Sequence, residues 1–219
     1  MRVFSQLFCI LMFVALSGCS SFPGKNTVPD APVRSLNQTP SCCDSLSELG
    51  YKQLPANFKA RLYIDSTDPV VSLDTGKSYV EAIALPDTEK PILLQIESFL
   101  QFRGNTSKPE IFFPAVTLLN EQFTPIAALH DLPFSYERPI FRPNRLRVVA
   151  TLDGRLSDAK YVLIHTTDER RSQGMSSQFP HSVIKLKRFD TMIYTNPATP
   201  HGQIRFSDLG KINVLAYSM

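Results

Sequence analysis

The sequence predicts a mostly β protein, an antiparallel β-sandwich or jelly-roll-like domain with few short helices. Three observations carry this. Apolar and polar residues alternate with a period of two in one short run after another, turn-forming residues separate those runs, and no sustained 3.6-residue pattern follows the N-terminal leader. The 17 prolines suit sheet edges and turns better than helix interiors. Many short strands with turn signals between them close most readily into two packed sheets.

The leader, residues 1–18, has signal-peptide anatomy. Arg2 supplies a positive charge, Val3 to Leu16 is apolar apart from Ser5 and Gln6, and the small residues Ser17 and Gly18 follow. Its uninterrupted part, Leu7 to Leu16, is about half of the roughly 20 apolar residues a membrane-crossing helix needs, so it reads as a cleaved signal. Leu16-Ser17-Gly18-Cys19 has the form of a bacterial lipobox, in which the Cys19 thiol takes a diacylglycerol and the chain is then cut between Gly18 and Cys19. Acyl chains contribute roughly 0.8 kcal/mol per buried CH₂, and stable anchoring takes more than one chain. A fully acylated Cys19 would carry three. Ser20 stands where an aspartate would favour the inner membrane, so the expected location is the outer membrane, with the domain lipid-anchored and facing the periplasm.

Residues 19–40, rich in Ser, Pro, Asn and Thr, read as a lipidated flexible tether, and 41–219 as the β domain. With the leader and anchor set aside, the adjacent pair Cys42 and Cys43 remains. Neighbouring Cα atoms lie about 3.8 Å apart, below the roughly 4.4–6.8 Å usual for a disulfide. A vicinal disulfide is still preferred over a reduced pair in a linker or bridges to a second chain. No CxxC spacing or nearby histidine makes the pair a metal site. Cys42 to Leu49 reads as a short helical turn capped by Asp44 or Ser45.

Strands follow. Phe58 to Asp65 alternates almost strictly, and further candidates are 78–85, 92–102, 111–119, 146–152, 161–166, 182–187, 192–194, 203–206 and 212–217. Asp74-Thr75-Gly76, Pro86-Asp87, Arg103-Gly104-Asn105 and Asp153-Gly154 are the turns between them. Asp168 to Gly174 is a helical or mobile excursion. The weaker pattern after about residue 167 is either a smaller second lobe or further strands of the same sandwich.

Composition and motifs narrow the function. Hydrophobic residues at 43%, with 15 Phe, are enough for a packed core and exclude a disordered chain. The net charge of +3, one unit of which leaves with Arg2, is too small to argue for nucleic acid, although Arg138, Arg142, Arg145 and Arg147 gather near Phe134, Tyr136 and Phe141. GxSxG, HExxH, GxxxxGK[ST] and GxGxxG are all missing, and His130, His165, His181 and His201 are scattered. No catalytic residue, metal or cofactor is therefore assigned, and an envelope hydrolase is the weakest reading. Asp65, Asp68 and Asp74 with Gly76 offer oxygen atoms of the kind calcium takes. Their spacing is not that of an EF-hand loop, and they read as turn formers. Phe134-Ser135-Tyr136-Glu137-Arg138 sets rings beside hydrogen-bonding groups in what looks like a loop. Phe134, Tyr136 and Arg138 are the candidate sugar contacts, the other reading being that the rings pack under a connection.

Longer patterns carry a resemblance. Phe113-Pro114-Ala115-Val116-Thr117-Leu118-Leu119-Asn120-Glu121-Gln122-Phe123-Thr124-Pro125 resembles the maltose operon periplasmic protein family, as do Phe134 to Pro139, Asn144-Arg145-Leu146 and Tyr161-Val162-Leu163-Ile164-His165-Thr166-Thr167. The likeness is strongest over residues 91–168. It implies a cell-envelope protein encoded with maltodextrin uptake genes, without known enzyme activity and without functional residues to carry over. The expectation is a non-catalytic, lipid-anchored accessory protein of maltose or maltodextrin transport, binding sugar or a partner such as an outer-membrane porin. The alternative is a scaffold lipoprotein for envelope proteins or polymers, with no sugar affinity.

Overall fold

The computed structural model describes residues 36–54, 57, 59–88, 90–102, 109–139, 143–176 and 203–219. The strands are β1 (Lys52–Gln53), β2 (Lys59–Ile64), β3 (Val70–Leu73), β4 (Gly76–Tyr79), β5 (Glu81–Ala84), β6 (Ile92–Phe99), β7 (Gln101–Phe102) and β8 (Pro109–Phe112). They continue as β9 (Ala115–Leu119), β10 (Pro125–Leu129), β11 (Phe134–Glu137), β12 (Arg145–Leu152), β13 (Tyr161–His165), β14 (Gly174–Ser176), β15 (Gln203–Ser207) and β16 (Gly210–Ser218). A single turn of helix, α1 (Asp168–Arg171), and three short 3₁₀ segments complete the described elements. No described helix is long and apolar enough to cross a membrane.

Two five-stranded sheets face each other, ordered β1-β5-β13-β9-β10 and β11-β12-β6-β16-β2. Alternation fixes which side chains lie between them. Ile83, Val116, Leu118, Val162 and Ile164 from the first sheet meet Ile64, Leu94, Ile96, Leu152, Ile212 and Val214 from the second in one buried cluster. Burying each such side chain stabilises the fold by roughly 1.5–3 kcal/mol, which makes this layer the main reason the sandwich holds. The predicted antiparallel sandwich is what the chain forms, with two parallel ladders, β1 with β5 and β15 with β8.

Several long alternating runs are divided, each for an identifiable reason. The run 78–85 becomes β4 and β5 because the Val80 N–H donates to Pro69 O at 3.0 Å and takes the chain from the β3–β4 hairpin into the first sheet. The run 92–102 breaks at Leu100, whose N–H donates to Asn144 O at 2.9 Å. The run 111–119 breaks at Pro114, which has no N–H for a ladder. Beyond these two breaks β7 and β8 join β14 and β15 in a small third sheet. Residues 111–119 are buried throughout, on both sides of Pro114, so an apolar run does not mark where the chain changes partner.

One other expectation needs correcting. The segment Phe134 to Arg138 is not a loop: β11 is an edge strand paired along β12. Leu36 is buried in the main core. β16 runs between β6 and β2 in the middle of the second sheet. The excursion after Thr167 is α1, and the Thr167 side chain caps it by accepting from Arg170 N at 3.1 Å. In the Asp74-Thr75-Gly76 turn, Gly76 has φ +108° and lies against the Asp168 carboxyl, so a side chain there would be both strained and blocked. The runs 182–187 and 192–194 lie outside the described residues.

Candidate functional site

The edge formed by β11 and the third sheet gathers the aromatic residues of the resemblance. Phe113, just after β8, packs at 4.8 Å from Phe206 on β15 and meets Phe134 on β11 edge-on at 5.2 Å. Ile111, Leu146, Val148, Met175 and Ile204 complete this second core, with Tyr136 against it. Phe134 remains 46% exposed, so one face of the cluster is open to solvent. Arg170 of α1 lays its guanidinium over the Phe113 ring at 4.5 Å and pairs with the exposed Asp131 carboxylate at 2.7 Å. An open ring beside a planar charged pair is the combination that can stack on the apolar face of a sugar and satisfy its hydroxyls.

The three sequence candidates have different fates. Phe134 keeps a usable ring. Tyr136 turns the same way along β11 but packs into the second core, and burial pushes its phenol up against the opposing effects of Arg138 and Asn144. Arg138 sits 5.8 Å from the Tyr136 ring centroid. Arg170 on α1 and Phe206 on β15 come from elements far from Phe134 in sequence, which local pattern cannot connect. Arg170 in the acidic-basic run after Thr167 was the only local signal.

Behind this edge lies a polar plug. His165 ends β13, is fully buried, and its Nε2 lies 2.9 Å from Thr117 Oγ1 while its Nδ1 lies 3.3 Å from Thr166 O. A carbonyl can only accept, so Nδ1 carries the proton and Nε2 accepts from the threonine. His130 approaches to 5.9 Å between ring centroids. Burial, with His130 and Arg171 adding to it, pushes the His165 pKa from 6.5 down to about 4 despite the Thr166 hydrogen bond. The folded pKa is below the unfolded one, so stability from neutral His165 is complete above about pH 6.5 and is lost as pH falls toward 4. Urea unfolding should therefore show the wild type losing about 2 kcal/mol more than His165→Gln between about pH 7.5 and pH 5. Parallel losses in the two proteins would refute this role.

A charged network occupies the outer face of the second sheet. Glu97 on β6 is opposite Arg147 on β12 and Asn213 on β16. It is 3% exposed and accepts from Lys59 Nζ at 2.8 Å and Asn213 Nδ2 at 3.1 Å, with Arg145 at 3.2 Å. Glu137 closes the array, with Arg145 at 2.6 Å and Arg147 at 2.8 Å. Burial would raise the Glu97 carboxyl, but the hydrogen bonds from Lys59 and Asn213 and the charges of Arg145 and Lys59 outweigh it and hold the carboxyl below its ordinary value. The sequence signal was a lone glutamate inside an apolar run.

The remaining candidates are placed as follows. Cys42 and Cys43 form a disulfide on the outside of the first sheet, with Cys43 packed near Leu46, Leu49 and Val71. Asp65 and Asp68 spend their oxygens on their own turn: Asp68 Oδ2 accepts from Asp65 N and Asp65 Oδ1 from Thr67 N, both at 2.7 Å. Among the described residues no group of His, Cys, Asp and Glu could hold a metal ion. Gly18, Cys19, His181 and His201 lie outside the described residues.

The fold is a two-sheet sandwich with an exposed ring, Phe134, and an Arg170–Asp131 ion pair on its described surface. The chain belongs to the maltose operon periplasmic protein precursor (MalM) family, whose model matches residues 75–214, well over half of its length. That family consists of periplasmic accessory proteins and is not a known enzyme family. No curated protein and no solved structure matches the chain.

Proposed function

We propose that this protein is a lipid-anchored accessory protein of maltose or maltodextrin uptake, acylated at Cys19 and held at the outer membrane with its domain in the periplasm. The β11 edge is its contact site for sugar: Phe134 supplies the stacking ring, and Arg170 with Asp131 supplies the planar polar groups. The carrying observation is that the family match spans every residue of this edge, from Phe113 to Phe206. A transport partner such as an outer-membrane porin would meet the same half-exposed ring.

Titration calorimetry of the full chain with maltodextrins tests the sugar reading. Heat of binding is expected, with Phe134→Ala weakening affinity by about ten-fold, the loss of one stacked ring. Neither heat nor a thermal shift at millimolar sugar would leave the scaffold alternative in its place.

A further inference from the structure

The outer face of the second sheet carries more than the Glu97 network. Because Ala60, Leu62, Ile212, Val214 and Ala216 point into the core, the alternate residues of β2 and β16 point away from it. Register then sets Lys211 opposite Tyr63, Asn213 opposite Arg61, and Leu215 opposite Lys59. Lys211 lies 5.6 Å from the Tyr63 ring and 5.8 Å from the Phe99 ring, which ties the two strands' outward groups into one surface.

Two properties of this surface stand out. Its basic residues, Lys59, Arg61, Arg145, Arg147 and Lys211, face only Glu97 and Glu137, and both carboxylates are already taken by Lys59, Arg145 and Arg147. The face is left net positive, with Arg61 exposed. Beside these cations stand Tyr63 (47% exposed), Tyr217 (37%) and Met219 (53%), three of the largest exposed apolar groups in the described structure. Basic side chains with amphipathic tyrosines on one flat sheet face match the chemistry of a bilayer's anionic interface, where lysine and arginine meet phosphates and tyrosine sits at headgroup depth.

We infer that the β2–β16 face is a docking surface for an anionic phospholipid membrane, laying the sandwich on the bilayer. The inference rests on the anchor reading for proximity: a fully extended chain from Cys19 to Leu36 reaches only about 60 Å, so an acylated Cys19 keeps the domain near lipid, and the charge of the face selects which side meets it. The β11 edge lies at the opposite end of the same sheet and stays free for its own partner.

Vesicle co-sedimentation of residues 19–219 carrying Cys19→Ala, the domain with neither leader nor acylated cysteine, separates the face from the anchor. Binding to vesicles containing phosphatidylglycerol is expected to exceed binding to pure phosphatidylcholine, and to fade as salt shortens the screening length to about 3 Å near 1 M. Each basic residue at an anionic surface is worth about five-fold in affinity, so the Arg61→Glu/Lys211→Glu double variant should lose more than about ten-fold. Lys160→Glu, whose lysine pairs with Asp87 beside the first sheet, should lose little. Matching thermal melts of the variants check that the fold is intact. Equal binding to both vesicle types, or equal loss with Lys160→Glu, overturns the inference, and the face would then fall to an acidic protein. Palmitate labelling of the wild type reads the anchor independently, so either idea can fail without the other.

Discussion

Replacing Glu97 by leucine is expected to destabilise the protein by about 3–5 kcal/mol, the cost of leaving buried partners of a charge without it. The estimate depends on who is stranded. Lys59 and Arg147 are 44% and 32% exposed and can turn to water, whereas Arg145 is 11% exposed and Asn213 is buried. Arg145 keeps Glu137, so most of the loss comes from the desolvated centre of the array. Glu137→Ala should cost only about 1 kcal/mol, because Glu137 is 28% exposed and solvent screens it. The double variant Glu97→Leu/Arg145→Leu should recover part of the loss, since apolar replacement of a whole buried pair is often near neutral. The pH dependence has a fixed sign. The Glu97 carboxyl is depressed in the folded state, so its contribution is present above the unfolded carboxylate value and lost as pH falls through the folded one. Denaturant unfolding at neutral pH and in acid checks both claims: a Glu97→Leu cost no larger than that of Glu137→Ala would show that the array is only surface decoration.

The same glutamate shows how far the sequence could be read. The strand that carries it was legible, because Ile92, Leu94 and Ile96 alternate with outward residues. The network was not, because Lys59, Arg145 and Asn213 lie on three other strands, and strand order is set by pairing at long range. Where a strand's bounds could be read from local pattern, as in β12, β13 and β16, the reading and the structure agree within about two residues. Where a strand is four residues long, as in β11, the alternation Phe134-Ser135-Tyr136-Glu137 is too short to outweigh the nearby Pro133 and Pro139. The candidate sugar site suffered for the same reason. Phe134 could be found locally, but Phe113 meets it, and Arg170 and Phe206 meet Phe113, only after the sheets have formed.

The anchor supplies the other large effect. Cys19→Ala is expected to abolish incorporation of a palmitate analogue into the full chain and to leave the leader, residues 1–18, uncut. Both consequences follow from one atom. Without the sulfur there is no thioether, and without that adduct the signal is not cut before residue 19 and no acyl chain is added. At roughly 0.8 kcal/mol per buried CH₂, the acyl chains proposed on Cys19 would outweigh docking by the β2–β16 face, and salt would not weaken them. Residues 19–219 carrying Cys19→Ala, made without the leader, should bind membrane at low salt through Arg61, Lys211 and Tyr63 and leave it at high salt, because screening weakens those contacts. Continued labelling of Cys19→Ala would contradict the lipobox reading outright. Retention of that leaderless variant at high salt would mean that something other than acyl chains and surface charge holds the domain to the membrane.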